Sequence, residues 1–353
     1  MSARALAEFA AFEGDFHRAV EAAGGAIAER LFVAAVRIEV RFAGAALAPF
    51  LVAPFRHQVN AFEGVPDLLI QAWDSQSTGV ALSATESELE EHQLRGMPSV
   101  PPRDGVYAAY LRPDPGLSML NLAEGRGIYW LPNAERVPFE DRSGPFRGIL
   151  NWWMSQAGKQ FIHAAAIGTE GGAALIVGAS GSGKSTTALS CMLAGMLYLG
   201  DDYCLLEPGD PPLAHSLFLS AKLHAGHLER FPQLVPAVIN SGRLAFEKGV
   251  LDLNLLEGVR VRKTLPIRAV LVPKVTHEPH TSLEPIGRAA ALAALAPSTM
   301  LQLASTRDEA LRRMADVVRS VPAFRLNAGT VLEEIPVAIT RLLKSLTADA
   351  ADE

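Results

Sequence analysis

The sequence has little of what marks a secreted or membrane-spanning chain. Its 353 residues include only two cysteines, Cys191 and Cys204. Two cysteines give no disulfide framework, so we interpret both as reduced, structural residues of a cytoplasmic protein. No apolar run reaches the roughly 18 residues that a membrane helix needs. Near the N-terminus, Glu8, Glu13 and Asp15 are atypical of a secretory signal.

The chain also lacks an excess of positive charge. Charged residues make up 20% of it, and the formal net charge is -6. This balance provides no field for a nucleic acid, so neither nucleic acid nor a membrane is an expected partner. The length and the 49% hydrophobic content instead predict a soluble globular protein with two domains and a sizeable core.

The N-terminal part of the chain shows mixed patterns and no catalytic motif. Residues 4–31 have a loose helical apolar spacing, which Gly24 and Gly25 are expected to break into two pieces. Residues 36–42 alternate as a half-buried strand does. We therefore predict an α+β domain over residues 1–145 for substrate recruitment or assembly, a catalytic domain over 146–346, and a flexible tail over 347–353.

A glycine-rich stretch near the middle of the chain carries the clearest signal. Residues 178–185 read GASGSGKS and match the phosphate-binding pattern G-x-x-x-x-G-K-[ST]. The apolar run at 173–177 predicts a strand before it, and residues 186–196 predict a helix after it. Such a loop points backbone N–H groups and a helix N-terminus at phosphate oxygens. The predicted phosphate-binding residues are Gly178, Ala179, Ser180, Gly181, Ser182, Gly183, Lys184, Ser185 and Thr186.

Two acidic residues follow the apolar run that comes after the predicted helix. Lys184 is expected to reach the outer phosphates and the Ser185 hydroxyl to hold Mg²⁺. Asp201 and Asp202 come directly after the apolar run at 196–199. Phosphoryl transfer needs a metal held by oxygen ligands and a group that takes the proton of the acceptor hydroxyl. Two adjacent carboxylates could divide these roles, although an acidic pair can also simply open a turn.

Two further residues are candidates for the same site. His163 lies in an apolar segment that is expected to form a hairpin with residues 173–177. The alternative to a role in the site is that His163 is a buried residue of the core. Lys222 is the first choice for a phosphate clamp because it lies in a strand-like run. The other cations of this region are Arg243, Lys248, Arg260, Arg262 and Lys263.

These motifs, taken in order, resemble the catalytic domain of HPr kinase/phosphorylase and its relatives. The resemblance rests on residues 163–165, 175–186 and 199–203. It implies an α/β fold with a P-loop kinase core of the HPr kinase and phosphoenolpyruvate-carboxykinase-like type, beside a smaller α+β N-terminal domain. It also implies that Asp201 is the base, that Asp202 is a metal-side partner of Ser185, and that His163 assists.

The resemblance is closest to the broad set of HPr-kinase-related serine kinases. Ala179 and Thr186 stand where the HPr enzymes usually carry acids. Some members of the broader set phosphorylate ribosomally made peptide precursors, such as those of lasso peptides. The resemblance therefore implies ATP and Mg²⁺ as cofactors and a serine of a peptide or protein as the acceptor. It also makes a homo-oligomer plausible.

Two alternatives to a serine kinase stay open. The first is a nucleotide-binding switch or ATPase that works through partner binding, and the second is a small-molecule kinase of the same fold. A phosphorylated product would distinguish a kinase from the switch. The nature of the acceptor would distinguish the two kinases.

Overall fold

The computed structural model describes residues 3–85, 88–89, 105–111, 116–303 and 307–349. These residues divide into two compact units, the first ending at Ala157 and the second beginning at Gly158. Both units are mixed α/β structures with parallel and antiparallel strand pairs. Within the described ranges, no helix has the length and apolar character that crossing a bilayer requires.

The first unit is a six-stranded sheet on which helix α1 (Ala3–Ala22) packs. Its strands are β1 (Ala26–Val33), β2 (Val36–Ala43), β3 (Leu68–Asp74), β4 (Val106–Leu111), β5 (Gly116–Asn121) and β6 (Arg126–Leu131). Their order is β1-β2-β3-β6-β5-β4, in which β2, β3 and β6 run parallel. The apolar spacing predicted α1 correctly, because Phe9, Phe12 and Phe16 are buried against the sheet.

The prediction was wrong for the segment that follows α1. Gly24 and Gly25 have φ angles of 75° and 139° and end the helix, as expected. The second piece, however, is strand β1 and not a helix, and it pairs with β2 along its whole length. A β-hairpin with β2 overrides the loose helical spacing of this short segment.

Helix α2 (Arg147–Gln156) belongs to the first unit, whereas the sequence predicted it as part of the catalytic domain. Its apolar side buries Ile149, Leu150 and Trp152. Ile149 packs closely on β6, since a Cβ on Gly127 would lie 2.8 Å from its Cγ2 atom. The division between the compact units thus follows this helix and does not precede it.

The second unit is built on a nine-stranded mixed sheet. Its strands are β7 (Gln160–Ile162), β8 (Ala165–Thr169), β9 (Gly172–Ile176), β10 (Leu197–Gly200), β11 (Cys204–Glu207), β12 (Leu213–His215), β15 (Thr264–Val275), β16 (Ser282–Pro285) and β17 (Ala323–Ala328). A separate two-stranded sheet joins β13 (Ser220–Leu223) to β14 (Gly249–Asp252). The longer helices are α3 (Lys184–Leu193), α4 (Arg288–Gln302), α5 (Arg307–Ser320) and α6 (Glu334–Asp349).

Helices cover both faces of this large sheet. Residues of α3 and α6 share one apolar cluster, and residues of α4 and α5 share another. Strand β9 lies between the clusters: Ala174 and Ile176 face the first, whereas Ala173 and Leu175 face the second. Helix α6 continues to Asp349, so residues 347–349 are helical and not part of a tail. Residues 350–353 lie outside the described residues.

Candidate functional site

The glycine-rich loop connects strand β9 to helix α3, so the predicted strand and helix are confirmed. Gly178 and Gly183 have φ angles of 152° and 101°. A Cβ on Gly178 would lie 2.6 Å from Ser182 Oγ, so only glycine fits this position. Gly183 caps α3 without a side-chain hydrogen bond, which leaves the N–H groups of the first turn without a capping side chain. Such a helix start favours a bound anion.

Lys184 begins α3 and folds back over the loop. Its Nζ atom donates hydrogen bonds to the carbonyl oxygens of Gly178 at 2.8 Å and Ala179 at 3.1 Å. Burial lowers the pKa of Lys184, and the charges of Asp201 and Asp202 partly offset this effect. The lysine therefore lies in the electrostatic field of both aspartates.

The two aspartates occupy a tight turn between β10 and β11. The Tyr203 amide donates a hydrogen bond of 2.8 Å to the Asp201 carbonyl, and Asp202 between them has a φ of 65°. A hydrogen bond across three residues with positive φ at the centre is the rarer and more strained form of the γ-turn. A non-glycine residue in this region costs free energy, and such strain clusters at functional sites.

His163 lies opposite this turn because the strand pairing on both sides of it is interrupted at the same position in the sheet. Strand β7 pairs with β11 through Ile162 and Cys204, and β8 pairs with β10 through Ala166 and Gly200. The residues between these pairs lie opposite each other, with His163 on one chain and the aspartates on the other. The predicted hairpin of β8 and β9 is confirmed, but His163 precedes it in a bend outside both strands.

Asp202 is the centre of the charged contacts. Its Oδ1 atom lies 3.5 Å from His163 Nε2, and its Oδ2 atom lies 3.1 Å from Lys222 Nζ. The backbone of Lys222 serves the other aspartate, because its amide donates a 3.2 Å hydrogen bond to Asp201 Oδ2. Lys222 on strand β13 thus contacts both acids, and the structure brings together His163, Lys184, Lys222 and the aspartate pair.

The two carboxyl groups respond to this environment in opposite directions. Burial and the neighbouring Asp202 charge raise the pKa of Asp201 to about 6, while the Ser185 hydroxyl and the Lys222 amide partly offset the rise. Burial also opposes ionisation of Asp202. There, however, the His163 hydrogen bond and the Lys222 charge prevail and hold the pKa below its usual range. One group is easily protonated, and its neighbour stays ionised.

Two buried polar atoms beside the loop lack hydrogen-bond partners among the described residues, namely Asp201 Oδ1 and Ser182 Oγ. Buried polar atoms are nearly always paired, so unpaired ones at the same site call for an explanation such as a bound ion or ligand. Carboxylate and hydroxyl oxygens are the ligands that a hard cation prefers. The Ser185 hydroxyl and the carboxylates of the aspartate pair are oxygen ligands of this kind, so the residues present fit a magnesium ion.

The remaining predicted residues are those at the tip of the loop and the alternative cations. Ala179, Ser180 and Gly181 form the exposed tip of the loop. Most of the alternative cations are engaged elsewhere: Arg243 pairs with Glu247, and Arg260 and Arg262 pair with Glu170. Lys248 differs, because its charge contributes to lowering the pKa of Lys184.

Sequence reasoning missed two side chains that support this region. The Thr299 hydroxyl oxygen of α4 accepts a 3.1 Å hydrogen bond from the His163 amide, although 136 residues separate them. His227 lies with its Nδ1 atom 3.4 Å from Thr186 Oγ1 in the first turn of α3. Local patterns carry no signal for Thr299.

Comparison with known proteins gives a limited result. No family model matches the chain, and no curated protein matches its sequence. Among solved structures, the chain is similar to the Hpr(Ser) kinase/phosphatase from Coxiella burnetii at 12% sequence identity and a TM-score of 0.29. The similarity covers 54% of this chain and 99% of that one. At this TM-score the likeness says nothing about activity.

Proposed function

We propose that the chain is a kinase that uses ATP and Mg²⁺ to phosphorylate a hydroxyl group, with a serine of a peptide or protein as the acceptor. One observation carries the proposal: buried Asp201 and its neighbour Asp202, which has a strained backbone, lie beside the uncapped first turn of α3, with Lys184 and Lys222 next to them. This combination provides phosphate-binding groups and a proton acceptor at one place.

Each residue has a role in this proposal. The N–H groups of residues 178–186 and the Lys184 ammonium bind the phosphates of ATP. The hydroxyl of Ser185 and the carboxylate of Asp202 hold the magnesium ion, which when bound neutralises charge on the phosphate oxygens. His163 and Lys222 keep Asp202 ionised and oriented through the contacts described above.

Asp201 is the general base that we propose. One of its oxygens has no hydrogen-bond partner in the described part of the chain, and its raised pKa is close to the operating pH. Its carboxylate takes the proton of the acceptor hydroxyl while the hydroxyl oxygen bonds to the γ-phosphorus. The bond from that phosphorus to the bridging oxygen breaks, and ADP leaves.

The acceptor is the least constrained part of the proposal. A serine in a peptide or protein is supported by the resemblance of the three motifs to HPr-kinase-related serine kinases. The N-terminal unit is proposed to recruit the acceptor or to mediate assembly into a homo-oligomer.

Transfer of labelled γ-phosphate from ATP to a serine-containing peptide library, with Mg²⁺, tests the proposal. We expect label on serine, lost about 10³-fold in Asp201→Asn because a general base contributes roughly 10²–10⁴-fold. Asp210→Asn is the matched control, since Asp210 is exposed at the far end of β11 and should leave transfer unchanged.

Two results would contradict the serine kinase. Label on a small hydroxyl metabolite but on no peptide would indicate the small-molecule kinase. Nucleotide binding without transfer to any acceptor would indicate the regulatory switch. Retained transfer in Asp201→Asn would remove Asp201 from its role as the base while leaving the kinase in place.

A further inference from the structure

A groove in the second unit lies apart from the candidate site. Its volume is about 740 Å³, and three segments line it: the C-terminal end of α3, the residues around Phe231, and α6. None of the proposed phosphate, base or metal residues lines it. Pockets for small molecules typically have volumes of about 300–1,000 Å³, so this groove has the size of a ligand site.

Part of the lining of the groove is apolar and exposed to solvent. Leu193 of α3 and Val337 of α6 line it, and they are 37% and 57% exposed. Phe231 also lines the groove and is buried. Apolar side chains that converge on one concave surface favour the burial of an apolar group.

Charged residues of opposite sign lie at the two ends of the α6 segment that lines the groove. Val337, Arg341 and Lys344 are spaced by three or four residues and share the face of α6 that lines the groove, and Glu333, which also lines the groove, lies just before the first residue of the helix. The acid therefore lies at the N-terminal end of this face and the two cations at its C-terminal end. Within the described part of the chain, no ion pair involves Arg341 or Lys344, so both are available to an anion.

A third cation, Arg230, lies at the opposite end of the groove. Its Nη2 atom donates a 3.2 Å hydrogen bond to the Thr330 carbonyl just before α6. The lining thus carries three cations and one acid, and the acid shares its end with Arg230. The uncompensated positive charge is that of Arg341 and Lys344.

We propose that this groove binds a small amphipathic anion, namely one carboxylate or sulfonate on an apolar chain or ring system. The anionic head pairs with Arg341 and Lys344, and the apolar body lies along Leu193, Phe231 and Val337. The volume of the groove suits one small molecule, and Arg341 and Lys344 lie together at one end of it, as recognition of a single anionic head requires. The inference is independent of the proposed kinase activity.

Calorimetric titration of the full chain with dodecanoate, below its micelle concentration, tests the proposal. We expect one site, and we expect the paired substitution Arg341→Gln/Lys344→Gln to weaken binding about tenfold through the loss of two ion pairs. Arg312→Gln/Lys263→Gln is the matched control, because it removes two exposed cations of the same unit that do not line the groove. Its affinity should stay within about twofold of the parent.

Dodecylammonium has the same tail and the opposite charge, so it separates charge recognition from a general apolar affinity. Equal binding of the two amphiphiles would overturn the proposal, as would equal weakening in both double variants. Binding of an acidic amphipathic peptide without binding of dodecanoate would also overturn it and would assign the groove to a peptide partner. Thermal unfolding of each variant shows whether a lost affinity reflects a lost fold.

Discussion

At the scale of single residues, Asp201 and Asp202 show how neighbours in sequence acquire different chemistry. Both carboxyl groups are removed from water, which alone would raise both pKa values. Only Asp202 receives a nearby cation and a histidine hydrogen bond, so it stays ionised. Asp201 receives mainly the repulsion of its neighbour. The two groups titrate as a pair, and the order of proton loss follows from where Lys222 and His163 lie.

This arrangement predicts a pH dependence of stability with a defined sign. Between its ordinary pKa of 3.8 and the raised value of about 6, folded Asp201 holds a proton that the unfolded chain releases. Its contribution to stability is therefore present below pH 4 and lost as the pH rises towards 6, by up to about 3 kcal/mol. Asp202 has the opposite sign, and its contribution is lost as the pH falls below 4.

Urea unfolding of the parent chain and Asp201→Asn at pH 4, 5, 6 and 7 measures this effect. We expect the variant to gain stability relative to the parent between pH 4 and 6 and to keep the gain at pH 7. A difference that stays constant over this range would contradict the raised pKa. In the kinase assay, the same titration should make the rate of transfer rise through pH 6, because the base must be ionised.

Lys222 provides a second test at this scale. Lys222→Met removes the cation from Asp202, whose pKa should then rise because its burial is no longer compensated. We expect phosphate transfer to fall about 10²-fold and stability to fall by about 3 kcal/mol, since a buried charge loses its partner. Arg312→Met, at an exposed position with no proposed role in the site, is the control. Unchanged transfer in Lys222→Met would exclude a role for this lysine at the site.

At the scale of secondary structure, the glycine loop predicts a graded series. Gly178→Ala places a Cβ 2.6 Å from Ser182 Oγ at a φ of 152°, so it must distort the loop. Gly181→Ala meets nothing within 4 Å and adds only the strain of its φ of 79°. We expect Gly178→Ala to abolish binding of ATP and Gly181→Ala to cost about 1 kcal/mol of binding energy. Equal affinities, measured by calorimetry, would contradict a close approach of this backbone to the phosphates.

The same elements show how far the sequence could predict the site. Strand β9, the loop and α3 were predictable because their signals lie within about twenty consecutive residues and agree with one another. The position of His163 was not predictable, because it depends on two strand pairs whose pairing is interrupted at the same position in the sheet. The link from Thr299 likewise depends on the packing of α4 against a strand far away in the chain. Long-range pairing of this kind leaves no local pattern.

At the scale of the whole molecule, the two units differ in their tryptophan content. All four tryptophans of the chain, Trp73, Trp130, Trp152 and Trp153, lie before residue 158 and hence in the first unit. The second unit carries the candidate site and contains two buried tyrosines, Tyr198 and Tyr203, but no tryptophan. Tryptophan fluorescence therefore reports unfolding of the first unit alone, whereas calorimetry reports both units.

This distribution predicts how ATP changes thermal unfolding. ATP with Mg²⁺ should stabilise only the unit that binds it, by about 2.7 kcal/mol at a concentration one hundred times the Kd. We expect calorimetry to show a transition that moves to higher temperature while the tryptophan transition stays in place. Lys184→Ala should remove the calorimetric shift. A tryptophan transition that moves with the calorimetric one would instead show that the two units unfold together, and that ATP in one stabilises the other through their coupling.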